Sequence, residues 1–248
     1  MSLQPWRLDK FRASLALGEL HGTVDLFSPG QGLQLRGHGK RFDVLSVDLP
    51  SVPDSLAATS LDAWVRDEDL VATYAQIEER PTRGQVYWRA HMHSQNGQQH
   101  PVVDLIASVQ TSFLDSDPSL TVHSLVPARE VVQLVEVEAG RVEPIEWNSA
   151  EQHRLAAAGE IPCFIFRLAG SQSSYVEMVH PADFNESTLR RSPSGETELS
   201  HRLFAGRLEK GVILRSRIRA IFVPRDSDAA LARACYADFA AAEPVLTV

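Results

Sequence analysis

Tyr87, Arg89, His91 and His93 alternate with Val86, Trp88, Ala90 and Met92 along one short stretch. At the two-residue period of a β-strand, the first four share one sheet face. An aromatic ring, a guanidinium and two imidazoles in a row suit a sugar, which has apolar ring faces to stack and hydroxyls that need fixed donors. The imidazoles add proton transfer near neutral pH. The same row also fits a plain polar face turned to water. A second group lies in Ser173 to Pro181, where Tyr175, Glu177 and Val179 share a face and Glu177 stands among apolar residues. A buried carboxylate must find partners or rise in pKa, as general bases do. A one-residue change in face assignment instead turns Glu177 to solvent. The third group is Arg215, Arg217 and Arg219, opposite Leu214, Ile218 and Phe222. Three guanidiniums in line repel one another unless acids or an anionic ligand face them. Glu196, Glu198 or other acids on a neighbouring strand would complete a charge ladder, and a sulfated or uronic sugar is the alternative.

His91-x-His93 can also be read as a metal chelate on alternate strand positions. It is similar to the cupin motif, a glycine, H-x-H and then a glutamate. Gly84 and Gly97 flank the pair, but Ser94, Gln95, Asn96 and Gln98 stand where the glutamate belongs. Further ligands would have to come from His123, His180 or Glu177. The expectation is therefore no metal and no cofactor. The chain has no G-x-S-x-G, Gly-rich phosphate loop, H-E-x-x-H or C-x-x-C, and Gly37-His38-Gly39-Lys40 is too short for a P-loop.

The elements that must position these residues are mostly strands. Alternation or apolar runs predict strands at 22–27, 32–36, 42–49, 69–76, 85–93, 102–113, 120–125, 131–137, 162–168, 174–180, 199–205 and 211–223. Ser94 to Pro101, with Asn96-Gly97, reads as a hairpin connection. Trp64 to Leu70 reads as a loop entering a strand. Helix is expected at 226–242, capped by Asp226 or Ser227 and stopped by Pro244, with Leu231, Cys235 and Phe239 as its packing stripe. Ala150 to Ala158 suggests one or two helical turns, and the polar stretch Asn185 to Thr197 a long exposed loop. Many short strands at regular spacing indicate an all-β, antiparallel β-sandwich with a C-terminal helix, as one domain over residues 1–248.

With 248 residues the chain can bury a large core without disulfides. Its formal net charge of −8 argues against a nucleic-acid partner. Cys163 and Cys235 read as buried small hydrophobes. The N-terminus lacks a signal-peptide h-region and no run is long enough to span a membrane, so a cytoplasmic location is expected.

The late strand Gly211-Val-Ile-Leu-Arg-Ser-Arg-Ile-Arg-Ala-Ile-Phe-Val-Pro224, followed by a terminal helix, resembles the galactose mutarotase-like superfamily in organisation. That resemblance implies the supersandwich fold and a sheet face that receives a carbohydrate small molecule or oligosaccharide. It also implies, as a finer expectation, aldose 1-epimerase chemistry. Glu177 would be the base on the anomeric hydroxyl and His91 or His93 the acid on the ring oxygen. Tyr87, Arg89, Arg215 and Arg217 would bind the sugar. Two other classes stay open: a non-catalytic protein-interaction module using the sheet face or the 185–197 loop, and the cupin-like metal protein. The sequence leaves the oligomeric state open.

Overall fold

The computed structural model describes residues 4–37, 40–49, 60–77, 80–95, 97–146, 152–157, 159–192 and 195–243. Among them two nine-stranded antiparallel sheets pack face to face. The first runs in the order β1 (Trp6–Asp9), β2 (Arg12–Leu17), β3 (Leu20–Asp25), β4 (Leu33–Gly37), β5 (Lys40–Asp48), β11 (Thr121–Val126), β18 (Thr197–Arg202), β17 (Glu186–Arg191), β14 (Gln152–Ala157). The second runs β13 (Arg141–Pro144), β12 (Ala128–Glu136), β15 (Cys163–Leu168), β16 (Ser173–Val179), β20 (Ile213–Pro224), β9 (Gln98–Gln110), β8 (Arg83–Gln95), β7 (Asp69–Tyr74), β6 (Leu61–Arg66). Two short strands, β10 (Asp115–Ser116) and β19 (Leu208–Glu209), pair outside both sheets.

Period-two patterning explains the sandwich. Val86, Trp88 and Ala90 of β8, Leu105 and Ala107 of β9, and Phe164 and Phe166 of β15 meet Leu35, Val44, Val122 and Leu199 of the first sheet in one core. The opposite face of the second sheet is apolar in two places: under the helix α1 (Asp228–Ala241), and in a smaller cluster of Val71, Tyr87 and Ile106. Under the helix, Leu231, Cys235 and Phe239 pack on Cys163, Ile165, Val176, Met178 and Ile221. Both cysteines are buried and unbridged. The helix begins at Asp228, after a 3₁₀ turn at Arg225–Ser227, and no side chain caps it at Ser227. Asp228 anchors it instead, accepting hydrogen bonds from Arg167 Nε (3.0 Å) and Ser174 Oγ (2.8 Å) on β15 and β16. An acid in the first turn also complements the helix dipole. The expected stop at Pro244 lies outside the described residues.

Three sequence expectations change. Residues 152–157, read as helical from their alanines, form the edge strand β14, because pairing with β17 overrides a weak local propensity. The supposed loop 185–197 holds β17, whose Ser187 and Leu189 are fully buried. Trp64 to Arg66, read as loop, ends β6, and the turn follows at Asp67-Glu68. The β8–β9 hairpin is also tighter than expected: strand pairing runs to Gln95 and Gln98, and Gly97 between them takes φ 77°.

Candidate functional site

Register decides which candidates meet. Glu177 pairs with Ala220, Ala220 with Val103 and Val103 with Ala90. Those residues share the inter-sheet face, so Glu177 points into the sandwich. His91 and His93, one and three residues past Ala90, point out of the other side. The expected acid–base pairing of Glu177 with either histidine in one pocket is therefore corrected: a sheet separates them.

Glu177 is completely buried, and its partners come from both sheets. Ser124 of β11 and Tyr175 of β16 donate hydroxyl hydrogen bonds to Oε2. His201 Nε2 of β18 lies 3.0 Å from Oε1. That contact falls outside strict hydrogen-bond geometry, and neither atom has another partner, so we treat it as the pairing of these two groups. On the far side of the ring, His201 Nδ1 is 2.7 Å from Ser187 Oγ. The cluster sits where β5 and β11 slip register between His123 and Leu125. Leu45 takes φ 53° there, and its N–H donates to Ser124 Oγ at 2.9 Å. Burial first, then the neighbouring Glu177 charge, pushes the Tyr175 phenol well above its ordinary range. This group joins the two sheets through buried polar contacts, and Glu177, Ser124, Tyr175 and His201 are all fully shielded from solvent. One signal of it is legible in the chain: Ser124, Ser187 and His201 all interrupt apolar alternation.

The outer face of the second sheet carries the other candidates. Asp69, Arg89, Asp104 and Arg219 form a charge ladder across β7, β8, β9 and β20. Arg89 clamps Asp69 through Nε and Nη2 (2.7 and 2.8 Å), and Arg219 clamps Asp104 at the same distances. Arg219 also stacks on the Phe239 ring of α1, 4.6 Å from its centroid. Arg217 bonds Asp183 (2.7 Å) and the main-chain oxygens of Ala242 and Glu243 past the helix end. The acids opposite the arginine row are thus Asp104 and Asp183, not Glu196 or Glu198, which belong to the first sheet or its approach. Tyr87 is 4 % exposed, and its hydroxyl donates to Gln85 Oε1 at 3.3 Å. His91 is held below its ordinary pKa, mainly by burial. His93 Nε2 lies 3.7 Å from Asp238 of the helix.

His123 sits on the first sheet against Ser200, and His180 beside Asp183. The extra metal ligands considered from sequence do not converge on His91 and His93. Among the described residues no three His, Cys, Asp or Glu side chains are grouped to hold a metal.

Of the four expected sugar-binding residues, Arg215 lines an open hollow of about 260 Å³, with Arg83, Gln85, Ser108, Gln110 and Ile213. Cross-strand pairing aligns Arg83, Gln110 and Ile213 in one row and Gln85, Ser108 and Arg215 in the next. Tyr87 orients the Gln85 carbonyl while the Gln85 amide donates to Thr73 Oγ1 (3.1 Å). Arg215 Nε donates to Ser108 Oγ at 3.2 Å. Gln85, Ser108 and Arg83 went unremarked in the sequence because each is an ordinary polar strand residue until topology aligns them.

No family sequence model matches the chain, and no curated protein matches it by sequence. Solved structures do. A Salmonella typhimurium protein assigned as a mutarotase superposes with TM-score 0.54 at 8 % identity, covering 89 % of this chain and 93 % of that one. A Klebsiella pneumoniae protein assigned as an aldose 1-epimerase gives 0.51 at 9 % identity, covering 92 % and 83 %. The chain has the galactose mutarotase-like fold, an all-β antiparallel sandwich closed by one helix.

Proposed function

We propose that the protein binds carbohydrate, in the hollow around Arg215 on the outer face of the second sheet, and favours sugars that carry a carboxylate or sulfate. The observation that carries this reading is the lining. Two guanidiniums, two primary amides and one hydroxyl converge on a space of about 260 Å³. Amides both donate and accept, as sugar hydroxyls require, and a guanidinium matches a carboxylate with two parallel bonds. The fold supports the reading by analogy alone. No carboxylate stands among the described lining residues, so none of them offers a carboxylate base for anomeric proton transfer. Glu177, the base expected from sequence, is sealed between the sheets. Binding without epimerisation is therefore our reading.

A thermal-shift and calorimetric panel of glucuronate, galacturonate, glucose and galactose tests it. Ligand at about 100 times its Kd stabilises by about 2.7 kcal/mol, a rise of roughly 5–10 °C for a chain of this size. Uronates should shift the midpoint more than the neutral sugars, and Arg215→Ala should erase the difference. Equal or absent shifts overturn the proposal. Polarimetry on freshly dissolved α-galactose checks the second part, and a protein-dependent acceleration would restore epimerase chemistry.

A further inference from the structure

A larger cavity, of about 360 Å³, opens at one end of the sandwich, where the two sheets part. It is separate from the hollow around Arg215, and the two share no lining residue. The turn between β2 and β3 and the ends of β4 and β5 supply one side. The β8–β9 hairpin and the ends of β15, β16 and β20 supply the other.

Its wall is apolar: Leu20, Phe42, Met92, Leu168 and Phe222. Phe42 and Phe222 meet across the sheets with ring centroids 5.9 Å apart. Met92 belongs by parity to the inter-sheet face of β8, yet it is 39 % exposed, because the cavity lies beside it. Two opposite charges stand on the rim, Arg36 of β4 and Glu19 of the β2–β3 turn. Register places them at the same corner, since Arg36 pairs with His21, two residues beyond Glu19. Arg36 and Glu19 form no ion pair with each other or with any other described residue, whereas Arg89, Arg167, Arg217 and Arg219 each hold a carboxylate. The rim thus offers a cation and an anion over an aromatic-lined floor, at a volume near the lower end of small-molecule sites (about 300–1,000 Å³).

We propose that this cavity binds a free apolar α-amino acid. Its side chain lies against Phe42 and Phe222, its α-carboxylate meets Arg36 and its α-ammonium meets Glu19. Burying the side chain supplies affinity, and the paired charges supply selection for a molecule that carries both. A longer peptide does not fit this description, because its first residue lacks the carboxylate.

The test is calorimetry or ligand-observed NMR on the full chain, with L-phenylalanine, 3-phenylpropionate, phenethylamine and glycine as probes. Phenylalanine should bind, each singly charged analogue at least about tenfold more weakly, and glycine not at all; tenfold corresponds to about 1.4 kcal/mol. Arg36→Ala should weaken phenylalanine but leave phenethylamine unchanged. Glu19→Gln should weaken phenylalanine but leave phenylpropionate unchanged. Both positions are exposed, so both variants should keep the parent circular dichroism, and Arg215→Ala should bind phenylalanine like the parent. Absence of phenylalanine binding at millimolar concentration overturns the proposal. So does phenylpropionate binding as tightly as phenylalanine, which would make the site one for apolar carboxylates, and so does phenylalanine binding unaffected by both variants.

Discussion

Changing Glu177 to glutamine turns one of two acceptor oxygens into a donor, in a place where the hydroxyls of Ser124 and Tyr175 already donate. One buried polar group must then go unsatisfied, at a cost of about 1–3 kcal/mol. Urea denaturation of Glu177→Gln should show that loss, and an unchanged midpoint would mean that the carboxylate is not what holds the cluster. The histidines predict a second behaviour. His91, His100 and His180 are all held below the usual imidazole pKa, each chiefly by burial. Their neutral forms are favoured in the folded chain, whereas the unfolded chain takes up protons near the ordinary value of about 6.5. Their contribution is therefore complete above about pH 6.5 and is lost as pH falls through the lowered folded values. Denaturation midpoints should drop between pH 7 and pH 5, and His91→Asn should flatten the curve. Face parity of His91 and of Glu177 was legible along each strand. What the sequence could not supply was the register linking β16 to β8 through β20 and β9, and that register put the two residues on opposite sides of a sheet.

Elements show the same division between local and tertiary information. The strands of the core and the helix were readable because apolar residues recur at the period of each. β14 and β17 were not, because their sequences are alanine-rich or polar and they become strands only by pairing beside β18. The helix is held by more than its stripe. Phe239 packs on the outer sheet face, stacks under Arg219 and meets the His180 ring edge-on at 5.4 Å. Phe239→Ala should cost about 3–5 kcal/mol in chemical denaturation, well above the exposed control Arg233→Ala. Gly32, before β4, has φ 63° and lies tight against β5. A methyl group there would sit 2.5 Å from the Val44 carbonyl oxygen and also meet the Ser46 hydroxyl. Gly32→Ala should destabilise by more than about 1 kcal/mol, through both strain and crowding, and a thermal scan would show it.

At the scale of the molecule, the sandwich joins residues far apart in the chain: Leu45 meets Ser124, and Asp104 meets Arg219. Such topology predicts folding in milliseconds to seconds rather than microseconds, measurable by stopped-flow refolding. The position of β20 carries this further, into synthesis. It is the central strand of the second sheet, flanked by β16 and β9, yet among the described strands it is the last to be made. A nascent chain that has reached residue 212 can hold β6 to β9 as one half-sheet and β12, β13, β15 and β16 as another. The two inner edges, at β9 and β16, then stay open to any passing strand. The ribosome must deliver both β20 and the helix that covers it before those edges close, so closure of the second sheet waits on the stretch from Ile213 to Ala241.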